Sequence, residues 1–361
     1  MPPTMNIAGR PVGPGHPPYI VAEMSGNHNG DIRRAFAILD AAKAAGADAV
    51  KLQTYRADTI TIDHDGPDFR VGKGLWEGQR LYDLYQEAHT PWDWHEPLFR
   101  HAREIGIAIF SAPFDPTAVD LLESLGAPAY KIASPEIVDI PLIRLVARTG
   151  KPLILSTGMA TLEEIDEAVA AARGAGATEI AVLHCISAYP TPVEQANLSN
   201  IPDLAVRLGT VVGLSDHTMG TLAATVAVGL GAALIEKHFT LARADGGVDS
   251  AFSLEPAELV TLVADTHAAQ AALGTPVYGP TEAEQDSLRF RRSLYVVADV
   301  KKGETITEAS VRSIRPAHGL APKYLDDVLG RKATRDLRRG EAFKADMVAG
   351  GVPGVSPGGF N

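Results

Sequence analysis

The sequence predicts an α/β chain: a (β/α)8 TIM barrel followed by a small β-rich domain. Three observations carry the prediction. An alanine-rich helical run, a Gly-Ala step and an apolar β-like run recur in that order at Gly46-Ala47, Gly126-Ala127, Gly176-Ala177 and Gly231-Ala232. Glycine just past a helix end supplies the left-handed cap from which the next strand starts. Reading every such run gives eight candidate strands, the number that closes a barrel; a doubly wound open sheet is the competing architecture. After residue 275 the long helical runs stop and short strand-like pieces replace them.

In chain order, residues 1–18 are rich in Pro and Gly and read as a flexible lead-in to a barrel domain at 19–275. The strands fall at 19–25, 49–55, 108–113, 129–134, 152–158, 181–187, 211–218 and 234–240. Helical patterns lie between them, such as 32–45 and 161–175, the latter opened by Thr161 and Glu164 in capping-box spacing. A long connection, 56–90, is of the kind that shapes a substrate site at a barrel top. The run 255–274 is the closing helix. Residues 276–292, with Pro276, Pro280 and the basic cluster RFRR, form a linker. The pieces SLYVVADV, SVRSIRP and KATRDL, with two similar turns at 301–307 and 338–343, define a second domain at 293–350. Residues 351–361 read as a disordered tail.

Composition narrows the function. A net charge of −11 argues against a nucleic-acid partner but leaves room for an anionic ligand held by local positive charge. No apolar run is long enough to span a bilayer, and no hydrophobic signal core opens the chain, so a cytoplasmic, membrane-free protein is expected. The single cysteine, Cys185, excludes an internal disulfide and reads as a small buried hydrophobe.

Alternation along the strands selects candidate residues. Lys51 and Gln53 share one face of the second strand, and Lys131 occupies the corresponding face of the fourth; the opposite faces are apolar and suit the helix layer. An inward lysine needs an anionic partner, either an internal carboxylate such as Glu23 or Glu236 or a bound phosphate or carboxylate. Ser134 and Ser215, near strand ends, add hydroxyl donors. His217 and His238 end the seventh and eighth strands, which lie about 4.8 Å apart in a sheet. They form either a metal pair or a backbone-bonded core histidine beside an exposed one. Lys237 belongs to the same polar cluster, Asp216 is a candidate to orient a histidine ligand, and His184 suits packing. Glu23 precedes the turn SGNHNGD and is placed to move protons, unless that turn serves only to cap the next helix through Asp31.

Taken together, AEMSGNHNGD, VKLQTY, YKIAS, YPTP, GLSDHT, EKHFTL and RRSLYV…RPAHGL resemble the sialic acid synthase family from about residue 19 to 350. EMSGNHNG, ASPEIVDIPLI and ADGGVDSAFSLEP point to its pseudaminic acid branch. The resemblance implies a C–C bond-forming transferase that joins phosphoenolpyruvate to 2,4-diacetamido-2,4,6-trideoxy-L-altrose; an N-acetylneuraminate or legionaminate synthase is the alternative within the family. A non-catalytic sugar- or ice-binding protein is the alternative outside it. The resemblance further implies a divalent metal (Mn or Mg, with Co also suited) on His217 and His238. It places phosphoenolpyruvate against Lys51, Gln53, Lys131, Ser134, Ser187 and Ser215, and an acid–base role on Glu23. The sugar falls to Tyr189, Asp249 and Arg315. The tail resembles that family's antifreeze-like (SAF) domain and implies a domain-swapped homodimer in which Arg315 reaches the partner's site. Two departures stand out. Ala112 occupies a position where relatives carry a hydroxyl, for which Ser111 is the candidate substitute, and Ser187 stands where the sialic acid branch has asparagine.

Overall fold

The structure, a computed structural model, describes residues 3–355. The chain divides after Gly274 into two compact units. In the first, eight parallel strands close a barrel: β3 (Tyr19–Glu23), β4 (Ala49–Thr54), β5 (Ala108–Pro113), β6 (Tyr130–Ile132), β7 (Leu153–Ser156), β8 (Ile180–Cys185), β9 (Val211–Asp216) and β10 (Leu234–His238). β10 pairs with β3, placing His238 beside Glu23, so the sheet has no edge and the open alternative is excluded. Most strands end earlier than the apolar pattern suggests, because the polar residues after them turn into loops at the barrel mouth.

The helix signals act as expected. Thr161 and Glu164 close a reciprocal capping box before Leu162–Gly174. Gly126, at φ 72°, bonds back to the carbonyls of Leu122 and Glu123 and releases the chain toward β6.

Side chains of the strands segregate into two layers. Ile20, Val50, Leu52, Tyr130, Ile132 and Leu214 face the surrounding helices. Tyr19, Val21, Phe110, Ile154, Leu183 and Leu234 fill the lower barrel interior. This inner core corrects the reading of residues 1–18 as a flexible lead-in. Two short strands preceding the barrel, β1 (Met5–Ile7) and β2 (Arg10–Val12), form a hairpin through Ala8 and Gly9, both at positive φ, and bury Met5, Ile7 and Val12 in the same cluster. Arg10 ion-pairs with Asp48 and donates to the Pro18 carbonyl at 3.0 Å. The apolar lower mouth of the barrel is the physical reason this segment is ordered.

The second unit carries β11 (Ser293–Val296) antiparallel to β12 (Val311–Ile314), around a core that includes Leu294, Val296, Ile306, Val311, Val328 and Phe343. The stretch KATRDL contributes only isolated bridges. The two similar turns share one device: Lys301 N–H donates to the Glu304 carboxylate and Arg338 N–H to that of Glu341. The tail reading is corrected at its start, since Val352 is buried and Arg331 donates to the Gly351 carbonyl; residues 356–361 lie outside the described residues. Among the described residues no helix is long and apolar enough to cross a membrane.

Candidate active site

Above the apolar layer the inward positions turn polar. Strand parity delivers Glu23 from β3, Lys51 and Gln53 from β4, Lys131 from β6, Ser156 from β7, Cys185 from β8, Ser215 from β9, and Glu236 and His238 from β10. His217 follows β9 directly.

The lysines are partnered by carboxylates. Lys51 Nζ is 2.6 Å from Glu23 and 3.5 Å from Glu236, all three buried. Lys131 is 3.8 Å from the same Glu236 oxygen and donates to the Ile132 carbonyl at 3.3 Å. Ser215 donates to Glu236 at 3.2 Å, and Gln53 to Glu23 at 3.0 Å. The lysines therefore differ. Burial disfavours the charge of each, yet the two carboxylates hold the Lys51 pKa above its ordinary value, whereas Lys131, with one more distant carboxylate, is pulled down. The carboxylates split likewise. Burial raises both, but Lys131 and Lys51 together bring Glu236 below the usual range; Glu23, with Lys51 alone and Glu236 as a like charge, stays raised.

Ser134, Ser187 and Gly158 form a small cradle, with Ser187 Oγ 4.0 Å from Cys185 Sγ. Gly158 N–H donates to Ser134 Oγ at 3.2 Å, and a Cβ at Gly158 would run into the hydroxyls of both serines. Glycine is required here for a close approach rather than for a turn.

The imidazoles of His217 and His238 meet with ring centroids 5.4 Å apart. His217 Nδ1 lies 2.9 Å from the Ile186 carbonyl; a carbonyl only accepts, so Nδ1 carries a proton and Nε2 is the nitrogen left for an ion, while burial is outweighed by Cys185 and that carbonyl, which hold the His217 pKa above its ordinary value. His238 Nδ1 is buried without a hydrogen-bond partner among the described residues. Burial, then the positive charges around it, push His238 far below its usual pKa and keep it neutral, the form that binds metal. These features fit a divalent ion. Among the described residues no group of three or more ligating side chains converges, so two imidazoles would leave the remaining positions to substrate and water.

Around the histidines stand Tyr189, 4.3 Å from the His217 ring, and Phe252, 4.8 Å from that of His238. Asp249 accepts from Ser25 and lies 3.8 Å from His238 Nδ1. Arg315 belongs to the second unit, where it is exposed.

Several expectations change. Asp216 does not orient a histidine: it points outward and binds Lys237 at 2.6 Å, which also removes Lys237 from the anion site. Ser111 cannot stand in for the hydroxyl missing at Ala112, because it faces the helices and bonds Thr54 at 2.6 Å, while Ala112 sits inward beside Gln53. His184 packs outward against the Ala196 carbonyl at 2.7 Å, as expected, and Asp31 does cap its helix without displacing Glu23 from the interior. Cys185 is buried, as expected. Its Sγ is 3.8 Å from His217 Nδ1, and against the effect of burial that imidazole brings the thiol down to about 7. Sequence reasoning also passed over Ser25, Ser156 and Trp76. Alternation marks Ser156 as inward; no local signal marks the other two.

Glu136, in the turn after β6, adds a pH dependence. Burial pushes its carboxyl from 4.5 up to about 7, with Lys131 opposing. The folded state then holds a proton that the unfolded chain releases, so stability is lost as pH rises from 4.5 through about 7. Glu136→Gln is expected to raise the urea midpoint at about pH 8 and leave it unchanged at about pH 4; equal shifts at both would contradict the assignment.

A profile of the NeuB family matches residues 38–278, and one of the SAF domain matches 291–349. The pseudaminic acid synthase of Helicobacter pylori is 44% identical over 334 residues, 92% of this chain and 98% of that protein. The pseudaminic acid synthase of Campylobacter jejuni (strain 81-176) is 42% identical over 90% of this chain and 95% of its own length. Among solved structures, the N-acetylneuraminic acid synthetase of Leptospira borgpetersenii superposes with a TM-score of 0.72 at 31% identity, covering 81% of this chain and 97% of that one. With its barrel matched by that profile and its relatives aligned along nearly their whole length, the chain belongs to the NeuB family.

Proposed function

We propose that the chain condenses phosphoenolpyruvate with 2,4-diacetamido-2,4,6-trideoxy-L-altrose, forming a nine-carbon 2-keto acid and phosphate, as a pseudaminic acid synthase. The observation that carries this reading is that the barrel interior brings two buried lysines, Lys51 and Lys131, onto Glu236 and sets the imidazoles of His217 and His238 together at the ends of neighbouring strands. Identity of 42–44% to proteins of that name supports the choice of sugar.

In this mechanism Lys51, Lys131 and Gln53 hold the anionic groups of phosphoenolpyruvate, with the hydroxyls of Ser134, Ser187 and Ser215 as donors. C3 of phosphoenolpyruvate forms a bond to the aldehyde carbon, whose oxygen takes up a proton. Water adds at C2 and gives up a proton, and the resulting tetrahedral centre expels phosphate to leave the ketone. Glu23, with its raised pKa between Lys51 and Gln53, is the group that holds or passes a proton at this end. A divalent cation on His217 and His238, Mn or Mg with Co also suited, would supply Lewis-acid polarisation of the aldehyde. Tyr189 and Asp249 face the sugar.

Phosphate release with each candidate sugar tests the reading: turnover with N-acetylmannosamine alone would remove the assignment to this branch. Loss of turnover in EDTA, restored by Mn, is expected of a catalyst and not of a sugar- or ice-binding protein. The reading includes a domain-swapped homodimer in which Arg315 completes the partner's site, so Arg315→Ala is expected mainly to raise the sugar KM. Mixing Arg315→Ala with His238→Ala subunits should restore activity at low sugar, since one heterodimer site then has both residues; no restoration would place Arg315 outside a shared site.

A further inference from the structure

The 56–90 connection sends one large aromatic side chain to the barrel mouth. Trp76 is half-buried in a stretch, Gly72 to Gln79, that is otherwise exposed. The stretch holds its own shape: Val71 N–H donates to the Gln79 carbonyl at 2.9 Å, Gly78 N–H to that of Val71 at 2.8 Å, and Arg70 to that of Gly78 at 2.8 Å. Trp76 ties it to the barrel. Its indole N–H donates to the Val248 carbonyl at 3.0 Å, one residue before Asp249, and its ring stands 5.7 Å from that of Tyr189. Tyr189 lies 5.1 Å from Phe252 as well as against His217, so Trp76, Tyr189 and Phe252 make a continuous aromatic wall beside the paired imidazoles.

We propose that Trp76 is a specificity-determining residue: its ring forms the outer part of a wall that packs on the methyl groups of the acceptor sugar, and its bond to Val248 keeps the wall in place. This rests on the reading of the acceptor as a diacetamido-trideoxy hexose. Such a sugar carries methyl groups on both acetamides and at C6, where N-acetylmannosamine has one acetamide and hydroxyls at C4 and C6. An aromatic face gains from covering methyl groups. The one polar group of the indole is a donor already committed to Val248, so it offers nothing to the extra hydroxyls. A methyl in an apolar pocket is worth roughly tenfold or more in discrimination.

The test is phosphate release by wild type, Trp76→Phe and Trp76→Ala, varying each sugar and phosphoenolpyruvate separately. Trp76→Ala is expected to raise the diacetamido-sugar KM roughly tenfold, narrow the kcat/KM ratio between the two sugars, and leave the phosphoenolpyruvate KM within about twofold. Trp76→Phe, which keeps a ring but not the N–H, should retain most of the ratio. An unchanged ratio in Trp76→Ala, or sugar and phosphoenolpyruvate KM rising together, would overturn the proposal in favour of a loop anchor. If Trp76→Ala does not fold, Trp76→Leu carries the same comparison. Failure of the wild type to turn over the diacetamido sugar removes the substrate reading and the wall with it, whereas failure of the wall alone appears only in the variants.

Discussion

His238→Ala is expected to lower turnover at least about a hundredfold, as the loss of a ligand to a Lewis-acid centre should. The reasons are geometric. His238 ends β10 on the same face as Glu236, its imidazole is neutral through burial and the positive charges around it, and its Nδ1 is buried without a hydrogen-bond partner among the described residues. The fold does not need this nitrogen for a hydrogen bond, so the variant should keep its thermal midpoint while losing both turnover and metal affinity, the latter read by metal titration without substrate. Near-normal turnover under limiting metal would refute the ligand assignment. A large fall in midpoint would mean instead that His238 is a core histidine.

Lys51→Met and Lys131→Met should both abolish productive phosphoenolpyruvate binding, yet differ sharply in stability. Lys51 neutralises Glu23 at 2.6 Å and shares Glu236 at 3.5 Å; without it the buried Glu23 loses the one ion-pair partner it has among the described residues. Removing one member of such a buried pair costs about 3–5 kcal/mol. Among the described residues Lys131 pairs with the more distant Glu236 and donates to a backbone carbonyl, and burial already disfavours its charge. Replacing it with an apolar side chain of similar length takes one of two cations from Glu236, which keeps Lys51, so the loss should be smaller than for Lys51→Met. Urea unfolding of the two variants at neutral pH decides the matter: equal losses would mean that the lysines are interchangeable parts of one structural network. This contrast also resolves the choice that strand alternation leaves open for an inward lysine. Lys51 is both an ion-pair member and a candidate anion clamp, whereas Lys131 is the more available cation.

Much of this site is legible in one strand at a time. The period of two in AVKLQT places Lys51 and Gln53 together, and the same rule applied to LIEKH puts Glu236 with His238 and turns Lys237 away. Applied strictly to VVGLSD, it also turns Asp216 away from the histidines. The capping signals at Asp31 and Thr161 are equally local, because a cap satisfies N–H groups two or three residues on. The missed hairpin at residues 5–12 has a local signal too, in Ala8-Gly9 between alternating apolar residues, but it is only three residues deep on each side.

What the sequence by itself determined, then, is the eight-unit order, the helix ends, and which side of each strand looks inward, since these depend on backbone geometry and neighbours within a few residues. Only the tertiary structure decided the partners. Lys51 meets Glu23 and Glu236 because barrel closure brings β10 beside β3 and β3 beside β4. Ser111 is taken by Thr54 because the β4–β5 register sets their strands side by side. Trp76 reaches Val248 and Tyr189 across separations of more than a hundred residues that no local pattern records. The barrel brings distant strands into adjacent positions, and charge, hydrogen bonding and ring contact are short-ranged, so the chemistry of the mouth exists only once the sheet has closed.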